Sequence, residues 1–228
     1  MILGVGLDRS LFFEIHRQFN IERRALDPQR RIVFDDFSAL ALLKISAPLS
    51  VGAIAKEQLI WPSTMSRRVS RLVEIGLVSL EQSHLDRRVN LGALTPYGNE
   101  LTVELCQAFL DNLIPGSSLD RLGLELADVV SIVARMGRVP MSASGLIAFC
   151  YGMRACPSMR VADIVNLTGL QQATVSMTLR SMEEQAMMEP ILFGGARGDR
   201  PHCKGGLRYI TQCGQAYADE LLRMTDAL

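Results

Sequence analysis

A 228-residue chain that is 48% apolar, with slightly positive mean hydropathy, buries enough surface for one medium or two small cores, which excludes disorder. Lys+Arg and Asp+Glu balance at 24 each, so no global field draws the chain to nucleic acid or membrane, and any DNA binding must rest on local patches. Five cysteines, odd in number and without a C-x-x-C pair, argue against a disulfide framework or zinc module and leave reduced thiols in a cytoplasm as the expectation.

The opening "MILGVGLDRS" has no basic region before its apolar run, so no secretion signal is expected, and no uncharged apolar run reaches membrane-spanning length. Leu7 to Leu26 is a predicted helix ending before Asp27-Pro28, and Phe34 to Ile45 is a second, stopped by "SAP". "LSVGAIAKE" is a short predicted helix that gives way to a turn near Ile60-Trp61. Pro62 sits at a favourable first-turn position for "STMSRRVSRLVEI", which Gly76 closes. "LVSLEQSH" and "RVNLGALT" read as two strands around a polar tip, and Thr95-Pro96 opens a helix to about Leu113. "IPGSS" (Ile114 to Ser118) is the best boundary. Beyond it the grammar returns: helices over Leu119 to Met136 and Ser142 to Ala155, a helix–turn–helix in "MRVADIVNLTG" and "QQATVSMTLRSMEEQ", a Gly-rich hairpin, and a last helix from Gly214.

Sliding the chain along itself by 110 positions tests that repetition. Val51 meets Val161, Ile54 meets Ile164, Thr64 meets Thr174, Ser66 meets Ser176 and Glu74 meets Glu184. The apolar triplet Met65, Val69, Leu72 falls on Val175, Leu179, Met182, and after a shift of six "LTPYG" lies over "ITQCG". The matching order of elements points to one architecture used twice.

The helix from Ser63 to Ile75 divides its chemistry by face. Met65, Val69 and Leu72 form an inward stripe, with Ser63, Arg67 and Ser70 opposite and Thr64, Arg68 and Arg71 beside them. A helix entering a major groove needs small hydroxyl residues near its start and arginines for guanine or phosphate. A solvated amphipathic helix is the bland alternative, but only Glu74 opposes the three arginines. The hairpin tip adds His84, Asp86, Arg87 and Arg88, where an arginine can reach a minor groove or phosphate with a carboxylate to hold it; a solvated turn whose Asp–Arg pair is worth little is the even alternative.

With these residues in place, "LSVGAIAKEQLIWPSTMSRRVSRLVEIGLV" followed by "DRRVNLGALTPYG" resembles the MarR family of winged-helix transcriptional regulators. The Asp-Arg-Arg tip and the Leu-Thr-Pro-x-Gly exit carry the resemblance, which is good over residues 33 to 113 and weaker over 142 to 226. It implies two-fold dimers built by terminal helices, binding to a double-stranded DNA operator, and tuning by a small, often aromatic effector or by oxidation of a cysteine. It also carries DNA contact onto Ser63, Thr64, Arg67, Arg68, Arg71, Asp86, Arg87 and Arg88. The family normally has one winged helix per chain; two here put the usual homodimer in doubt, leaving a single-chain pseudodimer or a homodimer.

The second half keeps the scaffold and loses the arginines: Met177, Thr178 and Ser181 replace Arg67, Arg68 and Arg71. Thr174 and Arg180 remain in the helix, and Arg197, Arg200 and Lys204 move positive charge to the hairpin, where they supply salt-sensitive attraction to phosphate. The tripeptide Arg197-Gly198-Asp199 is explained by a wing tip, and His202, Cys203 and Cys213 are a poor zinc signal. Cys150 and Cys156 read as redox sensors or, more simply, core residues, and His16 with Phe12 and Phe13 as a ligand pocket or helix packing.

The expected fold is mainly α with small β-wings: tandem winged helix-turn-helix domains (residues 1–115 and 116–228) joined by a helical pseudo-dimerisation bundle. The expected function is a sequence-specific DNA-binding regulator whose first half reads bases and whose second half contacts phosphate. The alternative is a ligand-sensing or protein-interaction module of the same fold. No catalytic constellation, metal site, cofactor site or membrane partner is expected.

Overall fold

The computed structural model describes residues 9–26, 32–112, 123–139, 141–154, 158–190 and 207–227, and divides into two compact units. The unit of residues 21–140 holds α2 (Phe34–Ser46), β1 (Leu49–Ser50), α3 (Val51–Glu57), α4 (Pro62–Glu74), β2 (Val78–Gln82), β3 (Asn90–Leu94), α5 (Pro96–Asp111) and α6 (Leu126–Met136). Residues 1–20 and 141–227 form the other, with most of α1 (Arg9–Leu26), then α7 (Ala143–Arg154), β4 (Ser158–Arg160), α8 (Val161–Thr168), α9 (Gln172–Glu184), β5 (Met188–Pro190), β6 (Leu207–Ile210) and α10 (Gln212–Asp226). Among the described residues no helix is long and apolar enough to cross a membrane.

Each unit carries a three-stranded antiparallel sheet of one topology, β1-β3-β2 and β4-β6-β5. The third strand of each was not expected. Leu49 and Ser50 were read as helix, but the Ser50 hydroxyl accepts the Ala53 N–H at 3.1 Å, so α3 starts at Val51 and the two preceding residues pair with Gly92 and Leu91. A second difference lies at α6, expected from Leu119. Gly123 to Glu125 are not helical, because the Asp128 carboxylate accepts the Glu125 N–H at 2.9 Å and fixes the helix start at Leu126. The expected boundary at Ile114–Ser118 lies outside the described residues.

The motif at the sheet exit has a physical reason. The Thr95 side chain caps α5 by accepting the Gly98 N–H at 3.0 Å and donates to the Gly76 carbonyl at 2.8 Å. A Cβ on Gly98 would collide with the Leu77 carbonyl. Thr211 does the same in the other unit, accepting from Gly214 at 3.2 Å and donating to the Ala186 carbonyl at 2.7 Å, with Gly214 against Met187. The turns repeat too. Leu59 and Ala186, the described non-glycine residues with positive φ (54° and 55°), each lie 110 positions from a glycine in that conformation, Gly169 (66°) and Gly76 (73°).

The cores are built on two helices buried nearly all round, α2 and α7. The helix leading the second half of the sequence, α6, presents Val129, Val133 and Met136 to the core of the unit holding α2, and it packs on α2. The helix leading the first half, α1, belongs through Asn20 to the unit holding α7. Phe12 packs against Phe149 with ring centroids 5.3 Å apart, Asn20 donates to the buried Thr168 carbonyl at 3.0 Å, and Arg9 pairs with Asp226. Each compact unit therefore takes its lead helix from the other half of the chain.

His16 lies in that α1 cluster, 2% exposed and 4.9 Å from the Phe12 ring, so the aromatic group is packed core. Burial pulls its pKa from the ordinary 6.5 to about 3, so it stays neutral in the folded chain. The unfolded chain binds the proton first, so stability is held above 6.5 and lost as pH falls toward 3, by up to about 1.4 kcal/mol per pH unit. Acid titration of urea unfolding should show this slope in the native chain and a flatter one in His16→Phe. Ala186→Gly, which relieves a left-handed alanine, should raise the unfolding free energy by about 1 kcal/mol in the same assay.

Candidate nucleic-acid interface

Helix α4 follows α3 across the turn of a helix–turn–helix. Pro62 occupies its first turn, the Trp61 carbonyl accepts from Thr64 and Met65 at 3.0 Å, and Met65, Val69 and Leu72 are 0–1% exposed. The opposite face leaves Ser63, Thr64 and Arg67 exposed, and Arg67 makes no ion pair among the described residues. Its first turn has no acidic residue.

The other two arginines make ion pairs within the chain. Arg68, expected to touch DNA, is 13% exposed and turned back toward α2. It donates to the Asp35 carboxylate at 2.7 Å and to the Gln58 side chain at 3.3 Å, and its Nε lies 3.8 Å from Asp36. Arg71 is half exposed but pairs with the fully buried Asp36, whose carboxylate also accepts the Val33 N–H at 2.8 Å. Burial pushes the Asp35 carboxyl up from its ordinary range, while Arg68 pulls it down. Gln58, 1% exposed, donates to the Ser38 hydroxyl at 3.1 Å, and a Cβ on Gly137 would stand 2.6 Å from both groups. These side chains brace α4 against α2 and the chain after α6.

Sequence reasoning missed Asp35, Asp36 and Gln58. The available signal was "FDDFSALALL": two carboxylates inside a helix otherwise too apolar to leave any face for them but a paired one.

The wing is β2 and β3, in register from Val78↔Leu94 to Gln82↔Asn90. Asp86, Arg87 and Arg88 are all exposed at its tip. Asp86 does not clamp an arginine head, as the sequence suggested. Its carboxylate accepts the Arg88 backbone N–H at 2.9 Å and its carbonyl accepts Val89 at 2.9 Å, which shapes the turn. Arg87 and Arg88 make no ion pair among the described residues, so both guanidiniums are available to an anion.

In the other unit, α9 keeps the stripe Val175, Leu179, Met182 at 0–1% exposure. Thr174 is half-buried, Arg180 is exposed without an ion pair among the described residues, and Met177 stands 66% exposed where α4 has Arg67. Arg197, Arg200 and Lys204 lie outside the described residues, as do Asp199, His202, Cys203 and Cys156. Burial pushes the Cys106 and Cys150 thiols up to about 12, which leaves them protonated and poorly reactive, whereas Cys213 is exposed.

Comparison with known proteins finds likenesses over this part of the chain. Residues 35–89, from Asp35 of the brace to the end of the wing tip, match the MarR family model. A relative described as an uncharacterized HTH-type transcriptional regulator, YdgG from Bacillus subtilis (strain 168), is 32% identical over 103 residues, covering 44% of this chain. The chain spans 64% of that relative's length, less than two thirds. Among solved structures, RV1404 from Mycobacterium tuberculosis aligns over 50% of this chain and 81% of its own at 21% identity and TM-score 0.41. Wild-type apo MarR from E. coli aligns over 62% of this chain and 100% of its own at 19% identity and TM-score 0.38.

The brace separates structural from exposed arginines. Arg68→Ala should lower the unfolding free energy by about 3 kcal/mol, since it strips partners from two carboxylates, one fully buried. Arg67→Ala should stay within about 0.5 kcal/mol of the native chain. Equal effects in urea unfolding would contradict this assignment.

Proposed function

From the premise that this chain carries a MarR-family domain over residues 35–89, we propose that it is a sequence-specific, DNA-binding transcriptional regulator acting in the cytoplasm. The observation that carries the reading is the exposed set Ser63, Thr64 and Arg67 on a braced helix, followed by a wing that presents Arg87 and Arg88. On this reading α4 enters the major groove, where Arg67 reads a base edge, and the wing arginines take phosphate or the minor groove. Arg68 and Arg71 position α4, and Asp86 shapes the wing.

The two halves of the sequence, 1–115 and 116–228, act as tandem winged helix-turn-helix repeats in a single-chain pseudodimer. The shared sheet topology, the shared threonine caps and the matched positive-φ turns support the repeat. Reading is asymmetric. Met177 in place of Arg67 removes a base contact, while Thr174, Arg180, Arg197, Arg200 and Lys204 are left for phosphate. The operator is accordingly non-palindromic, and a small-molecule effector is the expected regulator.

Fluorescence anisotropy with DNA from around the protein's own gene tests this reading. Arg67→Ala should reduce discrimination against mismatched sites by roughly 1–3 kcal/mol. Arg87→Ala with Arg88→Ala should flatten the dependence of log affinity on log salt by about 0.9 for each phosphate no longer neutralised. Unchanged affinity and unchanged slope in the triple variant would refute the proposal.

A further inference from the structure

Two side chains at the turn before α4 stand where local physics favours other residues. Leu59 holds a left-handed backbone (φ 54°) that costs an L-residue roughly 1–2 kcal/mol. The equivalent residue in the other half is Gly169, which adopts it freely. Trp61 is the N-cap of α4, a position that favours Ser, Thr, Asp or Asn, and it makes no side-chain cap bond. Neither gains burial in return: Leu59 is 75% exposed and Trp61 79%. Between them Ile60 is half-buried, so the two large apolar groups flank it in solvent.

The neighbouring residues of α4 set the chemistry of the partner. Ser63, Thr64 and Arg67 are exposed directly beyond Trp61, and the first turn carries no carboxylate. A surface that fits this edge is anionic and polar with apolar points. The major groove of DNA has one apolar group, the thymine C5-methyl. We infer that Leu59 and Trp61 form an apolar reading contact that gives the first helix–turn–helix a preference for thymine beside the base read by Arg67. The inference rests on the DNA-binding reading above and adds a specificity element to it. The contact recovers the exposed apolar area on binding, and the strained leucine persists because a glycine in its place would read nothing.

The test uses the full chain and a short fluorescent duplex that it enriches from a random pool, alongside the same duplex with deoxyuridine for thymine. Trp61 is the sole tryptophan, so acrylamide quenching reports this site alone. The expected result is duplex binding, shielding of Trp61, and an affinity loss of about fourfold for each contacted methyl removed. Leu59→Gly and Trp61→Ser, which install the locally favoured residues and are checked for native urea unfolding, should bind the thymine duplex more weakly and be indifferent to deoxyuridine. Binding with Trp61 still open to acrylamide, or an equal deoxyuridine effect in the variants, overturns the contact and leaves the DNA-binding reading intact. No binding to any duplex overturns both. Shielding that depends on protein concentration without DNA assigns Leu59 and Trp61 to a second copy of the chain and also overturns the contact.

Discussion

A fully buried carboxylate, Asp36, organises the first helix–turn–helix. A charge in that environment must be paired, and its partners come from α4: Arg71 directly, with Arg68 between it and Asp35. The pairing fixes which arginine faces out. With Arg68 and Arg71 drawn toward α2, the face bearing Ser63, Thr64 and Arg67 is left to solvent. Gln58 extends the brace to Ser38, and Gly137 fits beside it only because it lacks a side chain.

The second half shows the same strand topology and threonine cap without the brace. At the 110-residue offset Asp35, Asp36, Arg68 and Arg71 become Gly145, Leu146, Thr178 and Ser181, so both signs of charge vanish together. Leu146 is 2% exposed in α7, and apolar packing replaces the ion pairs. Most of the charge missing from α9 is therefore structural. Of the three replaced arginines, Arg67 is the one that makes no ion pair among the described residues, and Met177 stands in its place. The lead helices show a further economy. Since α6 completes the core around α2 and α1 that around α7, neither half of the sequence closes its own core.

Much of this was legible in the residues. The stripe Met65, Val69, Leu72 is buried as its spacing indicates, the threonine of "LTPYG" performs a cap, and its glycine a close approach that a side chain would block. Periodicity assigns a face to a residue; it does not say what lies opposite. Arg68 scanned as one more basic residue on a polar face, because its acid partner stands 33 positions away in sequence. The exchange of α1 and α6 left no local trace, since either helix presents an apolar stripe that suits either core. Leu59 was invisible for a related reason: a left-handed turn is normally marked by glycine, and here the mark is absent.

A single chain that supplies both halves of an asymmetric DNA reader has a distinctive stoichiometry, which the solution mass of its complex with the upstream duplex reveals. The complex should exceed the free duplex by one 25.2-kDa chain. A duplex of unchanged mass, or one that gains two chains, would contradict the single-chain reader.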